Sequence, residues 1–319
     1  MNRETHIVII GGGIAGLMMG KELLKNGIKD FLILESSPSK EELLKASHIY
    51  YLHNRIDELS DELEEKRIIT NIFCKGKYYN STNPYFSNKY AQKISPKTTP
   101  TSINHIDGTL KKGWFSKNGS NEEITNHYYE EVAPHILHGS KVVEFNKRLV
   151  TTEKGDNVSC DATINTIPLF VMLSFLKIEA PESFEYAPVY IQKSQIKDAQ
   201  ELFQELYLPD SKDPFYRMLV YNNVAIAEST KEDSENFKKE FELKFGLKTE
   251  GDVFKQMLWT GRFIPINPEA RKSVIRKLTD EFDVFSLGRY GTWSFKRTDH
   301  IPQDAKDIIE IMKYKQLIK

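Results

Sequence analysis

Only two cysteines, Cys74 and Cys160, occur in the 319 residues, and neither stands in a metal-ligand spacing or beside a histidine cluster. That argues against a disulfide scaffold and a zinc site, and a reducing, cytoplasmic setting is expected. Long apolar runs are also missing. The longest after the N-terminus, Ile167 to Leu176, has ten residues with Pro168 inside it, whereas a bilayer span needs about 20, so no membrane partner is expected. An excess of one charge is lacking as well. The 44 basic and 45 acidic side chains leave a net charge of -1, which removes the overall field that would draw the molecule to nucleic acid or anionic lipid. No internal repeat is visible. The apolar run after Arg3 breaks at three glycines without a small-residue cleavage pattern, so it reads as a buried strand and not as a leader.

What is present is a globular composition. Hydrophobic residues make up 39%, charged residues 28% and aromatic residues 11%, more apolar and aromatic material than a disordered chain carries. Single cores stop growing at roughly 250–300 residues, so this length predicts two domains. His6 to Ile10 is a β-branched strand, ended by Gly11, Gly12 and Gly13 and followed by Ala15, Gly16, Leu17, Met18, Leu23 and Leu24 at helical spacing. Asn26-Gly27 closes that helix, and Phe31 to Leu34 is a second buried strand ending at Glu35, which completes a βαβ unit.

From Ser39 to Lys66 apolar residues recur every three to four positions and predict two helices joined around His48 to His53. Strands are predicted from Ile68 to Tyr79, with a hairpin turn at Lys75-Gly76-Lys77, and then surface loops and short helices from Asn80 to Ser120. Further strands are expected at Lys141 to Phe145, Leu149 to Thr152 and Ala162 to Thr166, and Pro168 opens a helix through Leu176. A second sheet is expected from Val189 to Ser194, Phe215 to Val220 and Val224 to Glu228. Ser234 to Phe245, Pro268 to Thr279 and Gln303 to Lys315 read as helices, and Val284 to Leu287 as a strand. No linker separates these patterns. The expected class is therefore α/β with interleaved domains, a Rossmann-type nucleotide-binding domain over 1–75, 136–180 and 275–319 and a smaller α+β substrate domain over 76–135 and 181–274.

Gly11-Gly12-Gly13-Ile14-Ala15-Gly16 has the G-x-G-x-x-G spacing, placed between a strand and a helix. Gly11 permits the tight turn, Gly13 lets the backbone approach a pyrophosphate, and Gly16 lets the helix pack on the strand. The helix N-terminus at Ile14 and Ala15 offers free N–H groups and partial positive charge. Glu35 stands 19 residues after Gly16, where a carboxylate accepts from a ribose 2′-OH and repels a 2′-phosphate. The motif leaves NAD(H) and FAD open.

Other segments bear on that choice. Val142-Val143-Glu144-Phe145 precedes a strand pair, and Cys160 to Pro168 runs acid, apolar residues, small residue, Ile-Pro. Leu287-Gly288-Arg289-Tyr290-Gly291-Thr292-Trp293-Ser294-Phe295 is followed by Asp299-His300. With the N-terminal fingerprint, these segments resemble the flavin amine oxidase and UDP-galactopyranose mutase group of FAD proteins. The resemblance implies FAD, with Val142 against the adenine, Thr166 beside the cofactor, Gly288 and Arg289 by the diphosphate and Trp293 by the flavin. Pro214-Phe215-Tyr216-Arg217 is similar to the mutase strand whose arginine reaches substrate phosphate, and Gly261 to Ile266 is similar to the stretch before the C-terminal helix. The R-x-G-G that commonly follows the ribose acid in the group is absent, since Ser36 to Ala46 holds no glycine.

Asp299, His300 and Arg217 are the candidate catalytic residues, the first two because a histidine near the ring can relay a proton. A helix N-cap is the structural alternative for Asp299, and a surface salt bridge for Arg217. His48 and His53 are five apart and share no helical face, so no metal is expected. The first expectation is oxidation of an amine or amino acid by hydride transfer to FAD. The second is a non-redox mutase acting on a nucleotide sugar, and the third a small viral-type flavoenzyme acting on an amino-acid-modified nucleobase. Lys111, Lys112 and Lys117 around Trp114 form the basic, aromatic patch that such a nucleic-acid partner would use. A nucleotide-binding subunit without catalysis is the reading from another class, and the oligomeric state is left open.

Overall fold

The computed structural model describes residues 2–46, 49–94, 111–117, 122–197, 201–232 and 236–318. Contacts divide the chain into one unit of Met1–Leu52, Asn121–Glu185 and Ile264–Lys319 and another of His53–Ser120 and Tyr186–Phe263. Interleaving was expected, but the joints fall elsewhere. Residues 53–75 lie in the second unit because the strand Leu63–Cys74 sits inside its sheet, and 122–135 lie in the first, where the helix Glu122–Val132 packs on the fingerprint helix.

In the first unit a five-stranded parallel sheet runs in the order Val284–Ser286, Ala162–Asn165, Ile7–Ile10, Phe31–Leu34, Ile136–Leu137. All four residues of Ile7–Ile10 are buried, as befits a central parallel strand covered on both faces. Its sequence neighbour, Phe31–Leu34, pairs on one side, and Ala162–Asn165, from far along the chain, pairs on the other. Ile7–Ile10 is therefore the topological switch point, and ligands of such sheets bind beyond its carboxyl end. Asn2–Glu4, Asn157–Ser159, Leu149–Thr152 and Val142–Asn146 form a separate four-stranded sheet. The helix Pro268–Phe282 starts where Asn267 Oδ1 accepts from the N–H groups of Glu269 and Ala270, with proline in the first turn.

The second unit is built on an eight-stranded sheet in which Leu63–Cys74 pairs parallel with Phe203–Tyr207, and the other pairings are antiparallel. One face carries Leu206, Met218, Val220, Ala225 and Ala227 against Phe237 and Phe241 of the helix Phe237–Phe245. Strand alternation sends Glu205, Tyr207, Arg217 and Glu228 to the other face.

Several expectations need correction. The second helix expected before Lys66 is a single 3₁₀ turn, Asp57–Leu59, and the strand Leu63–Cys74 follows, because Lys111–Ser116 pairs with its first half and Phe203–Tyr207 with its second. The region expected as loops and short helices contains the helix Pro84–Ile94 and, beyond that expectation, the strand Lys111–Ser116, while residues 95–110 and 118–120 lie outside the described residues. Within that strand the basic patch is not free. Lys111 reaches Glu205 at 3.5 Å and Lys112 reaches Glu65 at 2.7 Å, while Lys117 donates to the Asp61 carbonyl at 2.6 Å. His48 also lies outside the described residues, and His53 is exposed. No helix among the described residues is long and apolar enough to cross a membrane, and no acid, histidine or cysteine cluster there has metal-ligand geometry.

Candidate nucleotide-binding site

Each glycine of the fingerprint answers a separate constraint. Gly11 has φ 103°, and a Cβ there would stand 2.4 Å from Thr166 Oγ1. That hydroxyl donates to the Ile10 carbonyl at 2.7 Å, so Thr166 braces the turn across the strand ends. A Cβ on Gly16 would lie 2.0 Å from the Gly11 carbonyl oxygen, which only glycine tolerates. Gly13 differs, since no atom lies within 4 Å of its Cβ position. It precedes the helix Ile14–Lys25, whose first turn has no side-chain cap and no acid. The N–H groups at Ile14 and Ala15 therefore begin a 12-residue helix with an open approach at Gly13, the arrangement that receives a diphosphate.

Glu35 is nearly buried and holds the loop in place. Its Oε2 accepts from the Gly12 N–H at 2.6 Å, and its Oε1 accepts from the Ser37 N–H at 2.6 Å and the Ser36 hydroxyl at 3.1 Å. A carboxylate offers about four acceptor positions, which leaves room for one ribose hydroxyl. Gly12, absent from the expected site residues, is needed too, because a Cβ there would be 2.9 Å from Glu35 Oε2. The Ser140 N–H donates to the Glu35 carbonyl at 2.7 Å and the Gly139 N–H to the Ser37 carbonyl at 2.9 Å. These bonds bring the start of the Val142 strand to the Glu35 side of the loop.

The C-terminal segment comes to the same place. Gly288, at φ 75°, is buried, and a Cβ on it would meet that of Ala15 at 2.8 Å, while one on Gly291 would stand 2.3 Å from the Asn165 carbonyl oxygen. The short helix Gly288–Gly291 thus lies against the fingerprint helix and the end of the strand Ala162–Asn165. Arg289 is exposed, its guanidinium 5.5 Å over the ring of the exposed Phe295. Asn165, fully buried, has neither side-chain atom hydrogen-bonded, and the same holds for Oγ of its register neighbour Ser286. Orphaned polar atoms at the carboxyl ends of two neighbouring strands fit a site that a bound group or water completes. Sequence reasoning passed Asn165 over, although a polar residue closing an apolar strand was the available signal.

Trp293 has two readings, a flavin neighbour or a core aromatic. It has no accessible surface, its indole N–H donates to the Ile264 carbonyl at 2.8 Å, and Phe170 and Phe184 meet it edge-on at 5.4 and 5.2 Å. A side chain without surface touches no cofactor, so Trp293 is a core residue. Trp293→Phe is expected to cost about 1–3 kcal/mol through the lost hydrogen bond and volume, while the flavin-to-protein ratio of the folded fraction stays unchanged.

Asp299 and His300 both meet Arg297. Arg297 stands between them, its Nε 3.5 Å from Asp299 Oδ1 and its Nη2 3.1 Å from His300 Nε2. A guanidinium can only donate, so the His300 ring nitrogen is the acceptor of that hydrogen bond. The capping alternative for Asp299 does not hold either: His300 is the residue that precedes the helix Ile301–Tyr314, and no side chain caps it.

In the second unit Arg217 lies 3.5 Å from Glu205 Oε1 and 4.0 Å from Glu228 Oε2. Glu205 is fully buried and also accepts from the Tyr221 hydroxyl at 2.6 Å. Burial alone would raise its carboxyl, but Arg217, Lys111 and Tyr221 outweigh burial and hold it below the usual carboxylate range. Burial lowers the Lys111 ammonium and raises the Tyr207 and Tyr90 phenols, and Tyr90 packs edge-on against Tyr207 at 5.3 Å. Arg217 is thus the salt-bridged residue of the alternative reading, half-buried and not fully on the surface.

No protein-family model and no curated protein sequence matches the chain. Among solved structures, a reduced UDP-galactopyranose mutase is similar over 97% of this chain and 94% of its own, with TM-score 0.72 and 14% identity. A conjugated-linoleic-acid-producing fatty acid isomerase from P. acnes is similar over 96% and 98%, with TM-score 0.64 and 13% identity. A putrescine oxidase with redesigned cofactor binding is similar over 98% and 100%, with TM-score 0.55 and 10% identity. The fold is that of the Rossmann-type flavin amine oxidase and mutase enzymes.

Proposed function

We propose that the protein is an FAD-dependent flavoenzyme of the amine oxidase and mutase type, acting on a small molecule. The observation that carries this reading is the cradle itself: Gly13 opens onto an uncapped helix N-terminus, Glu35 keeps an acceptor position beside it, and Gly288 closes on Ala15. These residues fit the adenosine diphosphate part of FAD. The bound flavin would supply the hydride-accepting ring. Gly13, Ile14 and Ala15 would hold the diphosphate, Glu35 the ribose, and Thr166 the turn on which both depend. Arg289, exposed and next to Gly288, would add a cation for the phosphates.

The reaction favoured is oxidation of an amino-acid-like substrate by hydride transfer from carbon. Anaerobic addition of such substrates to the yellow protein is expected to bleach the flavin bands, and unchanged spectra across amines and amino acids would count against it. A second reading, mutase chemistry on a nucleotide sugar, draws support from the likeness to the mutase and from the Arg217 cluster. It requires prior reduction by dithionite before a UDP-sugar is converted. The basic patch offers little to the third reading, because its lysines are engaged within the unit.

A further inference from the structure

Lys111, Arg217 and Arg262 bring three cationic groups to the polar side of the large sheet, against two carboxylates, Glu205 and Glu228. Tyr90 and Tyr207 add no negative charge, since burial keeps both phenols protonated. One positive charge is left over among the described residues. Arg217 and Lys111 both meet Glu205, whereas no carboxylate of the described residues lies within ion-pair distance of Arg262. One of its N–H groups donates to the Pro188 carbonyl at 3.2 Å, and its guanidinium lies 5.8 Å over the Tyr216 ring. Its Nε and Nη1 are buried without a hydrogen-bond partner among the described residues.

A buried guanidinium with unmade hydrogen bonds is costly, and the excess charge around it has the sign that an anion neutralises. The backbone gives it little freedom to leave, because Gly261 packs so closely that a Cβ would stand 2.7 Å from that of Val189. We propose that Arg262 anchors an oxyanion subsite in this unit, one that takes a carboxylate or phosphate group of the substrate. This rests on reading the second unit as the substrate-binding part of a flavoenzyme. It disfavours a simple diamine as substrate, since a second cation would meet uncompensated positive charge.

The test uses the full chain loaded with FAD, titrated with pyrophosphate, UDP, glutamate and putrescine and followed by thermal shift and flavin difference spectra. At least one oxyanion probe is expected to bind, and Arg262→Met to weaken it by about 10- to 100-fold. Arg262→Lys should keep part of the affinity, and putrescine should not compete. Binding of pyrophosphate and UDP alone identifies a phosphate group, and binding of glutamate alone a carboxylate. Oxyanion affinity unchanged in Arg262→Met, or no oxyanion binding at all, overturns the proposal. A purely structural arginine would lower the thermal midpoint without ligand and leave that affinity unchanged. Should Arg262→Met fail to fold, competition in the wild type decides, because putrescine displacing the oxyanion also overturns it. Flavin content, read on the same samples, reports separately on the flavoenzyme reading.

Discussion

Gly13→Val is expected to remove the flavin while leaving the fold intact. The residue has φ −64° and ψ 176°, a conformation open to any L-residue, and its Cβ would enter empty space. Stability should therefore change by no more than about 0.5 kcal/mol. The same empty space is where a diphosphate must approach the helix N-terminus, so FAD affinity should fall by roughly 100-fold, on the order of 2.7 kcal/mol. Gly16→Ala makes the contrast, because its Cβ would collide with the Gly11 carbonyl at 2.0 Å and so disturb the fold itself, by about 1–3 kcal/mol. The ratio of flavin to protein absorbance, together with the melting temperature, separates the two. A Gly13→Val protein that keeps one flavin per chain would remove the diphosphate from this loop.

Glu205→Leu is expected to destabilise the second unit by about 2–4 kcal/mol, because it leaves the half-buried Arg217 and Lys111 without their shared carboxylate. Glu205 is fully buried, so solvent does not screen the loss. The pH dependence has a definite sign. The folded carboxyl lies below its ordinary value of 4.5, so the unfolded chain takes up the proton first. The stabilisation is complete above about pH 4.5 and fades as pH falls through the lower folded value. Urea unfolding across pH 3 to 7 should therefore show an acid slope in the wild type that is shallower in Glu205→Gln. An identical slope in both proteins would mean that Glu205 carries no such charge.

The parallel sheet of the first unit was legible where its signals are local. Ile7–Ile10, the glycine loop, the helix Ile14–Lys25 and Glu35 follow one another within thirty residues, and each speaks through its own sequence. The long strand Thr249–Phe263 was not legible, since it is a partly exposed edge strand with glycines at 251 and 261 that interrupt its alternation. Leu63–Cys74 misled for a different reason. Its first residues, Leu-Glu-Glu-Lys-Arg, continue a helix-like spacing from Leu59, and only pairing with Lys111–Ser116 makes them a strand. In the candidate site, glycines and acids at fixed spacing could be read from sequence. Asn165, Glu205 and Arg262 could not, because their interest lies in being buried and charged or unpaired. Trp293 failed in the opposite sense: an aromatic in a cofactor-like motif is spent on the core.

The central claim is that this chain binds FAD through the Gly11 to Gly16 loop. The most direct measurement is the visible spectrum of the purified full-length protein, with the released chromophore identified by mass and counted per chain. Flavin absorption and FAD at about one equivalent are expected, either as isolated or after incubation with added FAD. A colourless protein that also fails to take up added FAD would contradict it.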